Sequence, residues 1–478
     1  MYTSCVIRRT SMINLLLSLV LLCPGSVWAL IPEQCVHNAT KSNAICCPPD
    51  PHNGLICGGS HRGFCQQIYA PKEPIPSIFR VDDRLQWPTR FIKYACQCKD
   101  RFFGVACEQC WFGWKGPNCD IPDFRIRRDI RRLSEHDLHI FIDVVARSQK
   151  WPSHYMVLDE SDNKRVDPVK KPRFIPASVQ YYMTFLHCYG SRTTLFKNKQ
   201  KCEDYGILNF NHDGATFPTW HRYFILIWER MLGDIAWEVH GIRDYTLPYW
   251  DWVGLKECDI CNNHFIGAPG VTDSDGTHID AHHPFSNLTN FCWEPEVGTA
   301  CYGCQKGGRF GKLVRKFTRE DFPDQDDIRF MMSRKDYFVP GERDSPDCVS
   351  FHMALEGFCG RPGTDASALW THNKVHVMIQ GSMAGTATAT NDPIFILHHA
   401  FIDKLYSMWY RKYRPPVTAY PAKGVRPGHA GDDFMVAIYP LARNSDMFVD
   451  TTALGYDHDD PDTVGFWEQN GKGLVIVH

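Results

Sequence analysis

Residues 368–409 read ALWTHNKVHVMIQGSMAGTATATNDPIFILHHAFIDKLYSMW, and the reading of this stretch decides the fold. His372 and His376 stand at i and i+4, so on a helix both imidazoles leave the same face one turn apart. Asn391-Asp392-Pro393 is a helix start: a capping Asn or Asp, then a Pro where the missing N–H costs nothing. Beyond it Phe395, His399, Ile402, Tyr406 and Trp409 repeat at spacings of 4, 3, 4 and 3, one buried helical face with a histidine in its middle. Three imidazoles from two neighbouring helices can converge on one point. That suits a metal with nitrogen ligands, although a single helical HxxxH also fits a zinc site or a set of hydrogen-bonded core histidines.

A second triplet upstream shifts the balance. His187 ends the helical run PASVQYYMTFLHCYG, and NFNHDGATFPTWHRYFILIWERML supplies His212 and His221. His221 lies just inside a helix opened by Pro218-Thr219, whose apolar face continues through Phe224, Ile225, Trp228 and Met231. Two sets of three histidines on four helical segments describe a binuclear site in the core of a helix bundle, a location where bundles place metals. The expected class is therefore mainly α: a four-helix bundle around a two-metal site, with irregular loops and small β segments.

HDGATFPTWHRYF, TLPYWDW, CDIC, LEGF, HNKVH and NDPIFILHHAFID together resemble the type-3 copper proteins, and among them most closely the animal tyrosinases, from about Cys35 to about Tyr456. The resemblance implies a phenoloxidase that uses O2 at two copper ions to ortho-hydroxylate tyrosine-like monophenols and to oxidise o-diphenols to o-quinones. It implies that His187, His212 and His221 bind one copper, and His372, His376 and His399 the other. His398 is the neighbouring alternative for the last ligand, and the register of the buried face selects His399. Neutral imidazole serves copper in both oxidation states, and three ligands per ion leave positions open for chemistry. Glu356 and Asn373 match the pair that in tyrosinases is proposed to hold the water taking the phenol proton. A helix-end hydrogen bond is the structural alternative for Glu356. Asp403, one turn past His399, is placed to orient an imidazole. The loop bearing Met383, Thr386 and Ala389, with Phe395, is expected to shape the substrate pocket, ordinary packing being the competing role. Some family members cross-link a copper ligand to a Cys two residues before it; here that position is Phe210.

The rest of the chain is consistent with this. At 478 residues it exceeds one ordinary domain, and 52 Lys plus Arg against 54 Asp plus Glu give nucleic acid no electrostatic purchase. Residues 1–29 read as a signal peptide: Arg8-Arg9, an apolar run from Ile13 to Leu22, and Val27-Trp28-Ala29 as a small-x-small cleavage site. Secretion, or passage to the lumen of a melanosome-like compartment, is thus expected. With it come disulfides from the 19 cysteines left once Cys5 and Cys23 go with the signal, and N-glycans at the sequons of Asn38 and Asn287. Residues 30–122 form a Cys-rich segment resembling an EGF-like module, read as bracing the catalytic domain in preference to binding a partner. The catalytic domain is expected over 123–457, with Ser134 capping a helix over 133–149, Cys188 and Cys202 flanking a loop and open to bridging, and a β-rich closing segment over 430–456. Residues 458–478 are expected to be a tail without the membrane anchor of vertebrate tyrosinases. His278, His282 and His283 lie in a loop with no helical register to make them a metal site.

Three further readings remain open on sequence: a catechol oxidase without monophenol activity, a tyrosinase-related zinc protein, and an oxygen carrier. His398, where the zinc relatives usually carry Leu, favours the copper enzyme. An oxygen carrier needs a shielded site that no segment here supplies. The partners expected are small phenols and catechols, or tyrosyl and dopa side chains of proteins, with melanin formation or protein cross-linking as the outcome.

Overall fold

The computed structural model describes residues 31–39, 44–69, 83–158, 174–191, 208–274, 276–291, 310–318, 321–341, 349–361 and 368–459. The signal-peptide reading and the tail from residue 460 fall outside them. Eight α-helices lie among the described residues: α1 Glu33–Ala39, α2 Glu135–Ser148, α3 Val179–Ser191, α4 Thr216–His240, α5 Gln325–Met332, α6 Phe351–Glu356, α7 Thr371–Ile379 and α8 Ile394–Tyr413.

The helix starts follow local chemistry. Ser134 accepts the Asp137 N–H at 3.1 Å to cap α2. Asp392 accepts the Ile394 N–H at 3.0 Å to cap α8, and its carboxylate also takes a buried two-pronged contact from Arg315 at 2.8 and 2.9 Å. At the far end of α4 Gly241, at φ +72°, turns back to bond the Ala236 and Trp237 carbonyls. Helices α3, α4, α7 and α8 carry five of the six candidate ligand histidines, His212 lying just before α4, and α3 and α4 both pack in the core that α8 crosses.

One continuous core runs from Ile31 to Tyr456. It includes Leu85, Trp87 and Phe91 of the Cys-rich segment, while a small satellite is built of Cys57, Phe102, Cys107 and Cys119. The Cys-rich segment is stapled by Cys35–Cys46, Cys47–Cys65, Cys57–Cys96, Cys98–Cys107 and Cys110–Cys119. Its sheet sets strand Tyr94–Cys98 between a parallel partner, Ile45–Cys46, and an antiparallel one, Gly63–Gln67. Two arginines fasten it to the bundle. Buried Arg84 donates to the Tyr189 and Gly190 carbonyls at the end of α3, both at 3.1 Å. Arg230 of α4 donates to Gln109 at 2.9 Å and to the Cys110 carbonyl at 2.6 Å.

The closing segment departs from expectation. Residues 430–456 are turns and 3-10 helices (Asn444–Met447, Thr451–Leu454), and only Tyr456–His458 is a strand, paired in parallel with Arg125–Arg127. Its apolar residues Met435, Val436, Ile438 and Tyr439 are buried as in a strand, but Asn444 inside the turn holds the Gly428 and Ala430 carbonyls at 2.9 and 2.8 Å and folds the segment back on itself. Cys258 pairs with Cys261, Cys188 is buried within α3, and Cys202 lies outside the described residues. Among the described residues, no helix is long and apolar enough to cross a membrane.

Candidate metal centre

The two triplets meet. His187 comes from α3, His212 from the loop before α4, and His221 from the first turns of α4; their ligating atoms lie within 4.8 Å of one another. His372 and His376 come from α7 and His399 from α8, and they cluster with the same tightness. The clusters adjoin: the His221 and His399 rings stack with centroids 4.5 Å apart.

Five of the six rings have their tautomer set by an acceptor at Nδ1. His187 donates to the Thr386 carbonyl at 2.7 Å, His212 to Asn211 Oδ1 at 2.9 Å, and His221 to the Phe217 carbonyl at 2.9 Å. His372 donates to Asn373 Oδ1 at 3.0 Å and His376 to the Met383 carbonyl at 2.8 Å. The proton is therefore on Nδ1, and each Nε2 turns a lone pair inward. The sixth ring, His399, has a buried Nδ1 without a hydrogen bond and is fixed by stacking on Phe395 at 4.0 Å.

These inward nitrogens fit a cation. Nε2 of His187 and of His221 are buried without a partner, and Nε2 of His372 and His376 face each other at 3.0 Å. Two acceptors at that distance repel unless a positive charge lies between them. Burial drives the basicity of all six rings down, to about 3 for His187 and about 4 for His376, so they are neutral, ligand-competent imidazoles at physiological pH. His376 and Asn373 are partly exposed while the other five ligands are buried, which places the approach to the centre on the α7 side.

His398 belongs to the second cluster by distance but differs in chemistry. Its Nδ1 accepts the Trp252 indole N–H at 2.9 Å, and its ring stacks on His372 at 5.0 Å. Asp403 does not orient an imidazole. Its carboxylate is taken by Arg222 at 2.5 Å, Arg127 at 3.0 Å and the Tyr456 hydroxyl at 2.5 Å, because two buried guanidiniums outcompete a neutral ring for a carboxylate. Of the residues expected to line the pocket, only Thr386 is exposed. Met383, Ala389 and Phe395 are buried, Met383 serving His376 through its carbonyl and Phe395 packing on His399. Glu356 is fully buried, and both its oxygens accept the Asp213 N–H, at 2.8 and 3.0 Å.

Sequence reasoning missed Asn211, the Trp252 contact to His398, and the Met383 and Thr386 carbonyls that orient His376 and His187. Asn211 orients His212 and also donates to the His187 carbonyl at 3.2 Å, and its place beside a ligand was the only signal. The loop histidines do not converge. His278 bonds Asp273 at 2.7 Å, His282 bonds Asp280 at 2.9 Å, and buried His283 caps the turn Pro284–Asn287. The grouped sulfurs of Cys47, Cys57 and Cys96 are bound in disulfides.

Comparison with known proteins agrees with this geometry. Residues 177–412 match the family model described as the common central domain of tyrosinase. A tyrosinase of the frog Pelophylax lessonae is 31% identical over 454 residues, covering 92% of this chain and 84% of its own. The Bos taurus tyrosinase is 32% identical, with 89% and 81% covered. A mouse 5,6-dihydroxyindole-2-carboxylic acid oxidase is 29% identical, with 93% and 84% covered. A polyphenol oxidase from Thermothelomyces thermophila aligns with a TM-score of 0.44 at 19% identity over 70% of this chain and 89% of that one. The chain thus belongs to the tyrosinase family of oxidoreductases, whose members act on phenols, and its histidine clusters are compatible with a type-3 dicopper site.

Proposed function

We propose that the chain is a dicopper phenoloxidase of the secretory route, which with O2 ortho-hydroxylates monophenols and oxidises o-diphenols to o-quinones. The observation that carries this reading is the pair of adjoining triads, His187, His212 and His221 and His372, His376 and His399, five of whose rings turn a lone pair inward. Copper bound there supplies two-electron exchange with dioxygen. The protein supplies position and proton transfer. The phenol enters beside partly exposed His376, and Asn373, whose Oδ1 is occupied by His372, keeps its amide N–H2 for a water. That water takes the phenol O–H proton and passes one to the Glu356 carboxylate, which the Asp213 N–H keeps in place.

The Cys-rich segment over 30–122 and the catalytic domain over 123–457 act as one unit in this reading, and the exposed Asn287 carries a glycan, as does Asn38. The products serve melanin formation or protein cross-linking. Copper reconstitution tests the centre: two ions per chain and oxygen uptake with catechol are expected, and one ion or none would overturn it. Glu356→Gln should depress monophenol hydroxylation more than diphenol oxidation; equal loss removes the proton role. A diphenol oxidase without hydroxylation is the second reading, favoured by similarity to the mouse protein named as a dihydroxyindole-carboxylic acid oxidase. Zinc in place of copper would give metal without oxygen uptake.

A further inference from the structure

The corner after His212 carries an ion pair that neither the metal ligands nor the proton path uses. Asp213, at φ +63°, directs its N–H to Glu356, while its side-chain Oδ2 lies 3.5 Å from Nη1 of Arg426. The arginine belongs to a loop tied to the segment around His212. Within 426–429, His429 bonds the Asn209 carbonyl at 2.6 Å and Thr216 at 3.1 Å, and Gly428 lies so close that a Cβ there would come within 2.5 Å of the Phe210 ring. The backbone that carries Arg426 is therefore held beside the His212 loop, and its side chain is 31% exposed.

Its hydrogen-bonding capacity is under-used. A guanidinium presents five N–H donors, and charge-assisted bonds close to about 2.7–2.9 Å. Asp213 at 3.5 Å is the one ionic partner of Arg426 among the described residues, and Nη1 is buried without a hydrogen bond. Short contacts lead from it to a ligand ring: Arg426 to Asp213 at 3.5 Å, Asp213 N–H to Glu356 at 2.8 Å, and the Glu356 carbonyl to His372 at 3.3 Å.

We infer that Arg426 is a specificity-determining residue that binds a carboxylate on the phenolic substrate, so that free carboxylated phenols are preferred to esters, amides and tyrosyl side chains within proteins. Asp213 keeps the guanidinium aimed, and the fork receives the carboxylate on its open edge. The inference rests on the phenoloxidase reading above.

The test uses the copper-loaded full chain and its Arg426→Gln and Arg426→Lys variants. Each is assayed with L-dopa and with L-dopa methyl ester, which differ at the carboxylate and share the ammonium. The acid-to-ester ratio of kcat/KM should fall on the order of tenfold in R426Q, mostly through KM. R426K should recover part of the ratio, since an ammonium keeps the charge but loses the fork. An unchanged ratio in both variants overturns the assignment, and so does a fall carried by kcat alone. If no catechol is oxidised by any of the proteins, the phenoloxidase reading fails instead. Calorimetric binding of 3-(4-hydroxyphenyl)propionate and its methyl ester then decides the inference: tighter binding of the acid lost in R426Q supports it, and equal binding removes it.

Discussion

The Trp252 indole donates to Nδ1 of His398 at 2.9 Å, and this bond gives two adjacent histidines different chemistry. A neutral imidazole that accepts at Nδ1 carries its proton on Nε2, the reverse of the rings that donate from Nδ1. His398 therefore offers no lone pair to the centre, which favours His399 as the last ligand of the proposed site. Replacing Trp252 with Phe leaves a buried acceptor unpaired, at about 1–3 kcal/mol in urea unfolding. It also frees His398 to turn its lone pair inward, so copper titration should depart from two clean equivalents. A W252F protein that loads two coppers with native affinity would show that another contact sets this tautomer.

One loop serves both histidine clusters. The Thr386 carbonyl orients His187 and the Met383 carbonyl orients His376, and Thr388 closes the loop by donating to the Ser382 carbonyl at 2.7 Å. Thr388→Val should weaken copper affinity at both sites together, by about tenfold or more, as loss of a ligand's supporting contact generally does. Stepwise copper titration followed by spectroscopy reads this, and weakening at one site alone would separate the two halves of the loop.

Asp403 makes a different demand. It compensates Arg127 and Arg222, both buried, so Asp403→Asn leaves guanidinium charge stranded and should cost about 3–5 kcal/mol. Denaturant midpoints measure the loss. Copper per folded chain should stay at the native value, whereas a residue that oriented an imidazole would lose metal first.

Stability should fall on the acid side of neutrality. Burial lowers His283 and His429 to about 4 and His352 to about 3, against 6.5 ordinarily. The folded chain keeps these rings neutral, whereas the unfolded chain protonates them below about pH 6.5. Unfolding then takes up protons, so this stabilisation is complete above pH 6.5 and drains away towards pH 4 and below. The slope is on the order of 1.4 kcal/mol per pH unit for each histidine. Urea midpoints of the metal-free protein, flat from pH 7 to 8 and falling below 6, are the expected record; a flat profile down to pH 4 would contradict it.

The ligand helices were legible because their signals are local. His372 and His376 one turn apart, Asp392 before Pro393 and Ser134 before an amphipathic run each imply a geometry by short-range spacing. What escaped was long-range. Asp403 stands one turn past His399, which suggested an imidazole partner, but its arginines lie 276 and 181 residues away in sequence. The carbonyls of Met383 and Thr386 have no side-chain signature at all. The buried Met435, Val436 and Ile438 looked like a strand because burial alone does not separate a strand from a turn held by Asn444.

The parallel pairing of Arg125–Arg127 with Tyr456–His458 sets a timetable for synthesis. Asp129 bonds Asp459 across 330 residues, so at about 5–20 residues per second the early strand leaves the ribosome roughly 20–60 seconds before its partner. Throughout that interval the nascent polypeptide displays an open β edge, while the carboxylates of Arg127 arrive one at a time, Glu229 well before Asp403.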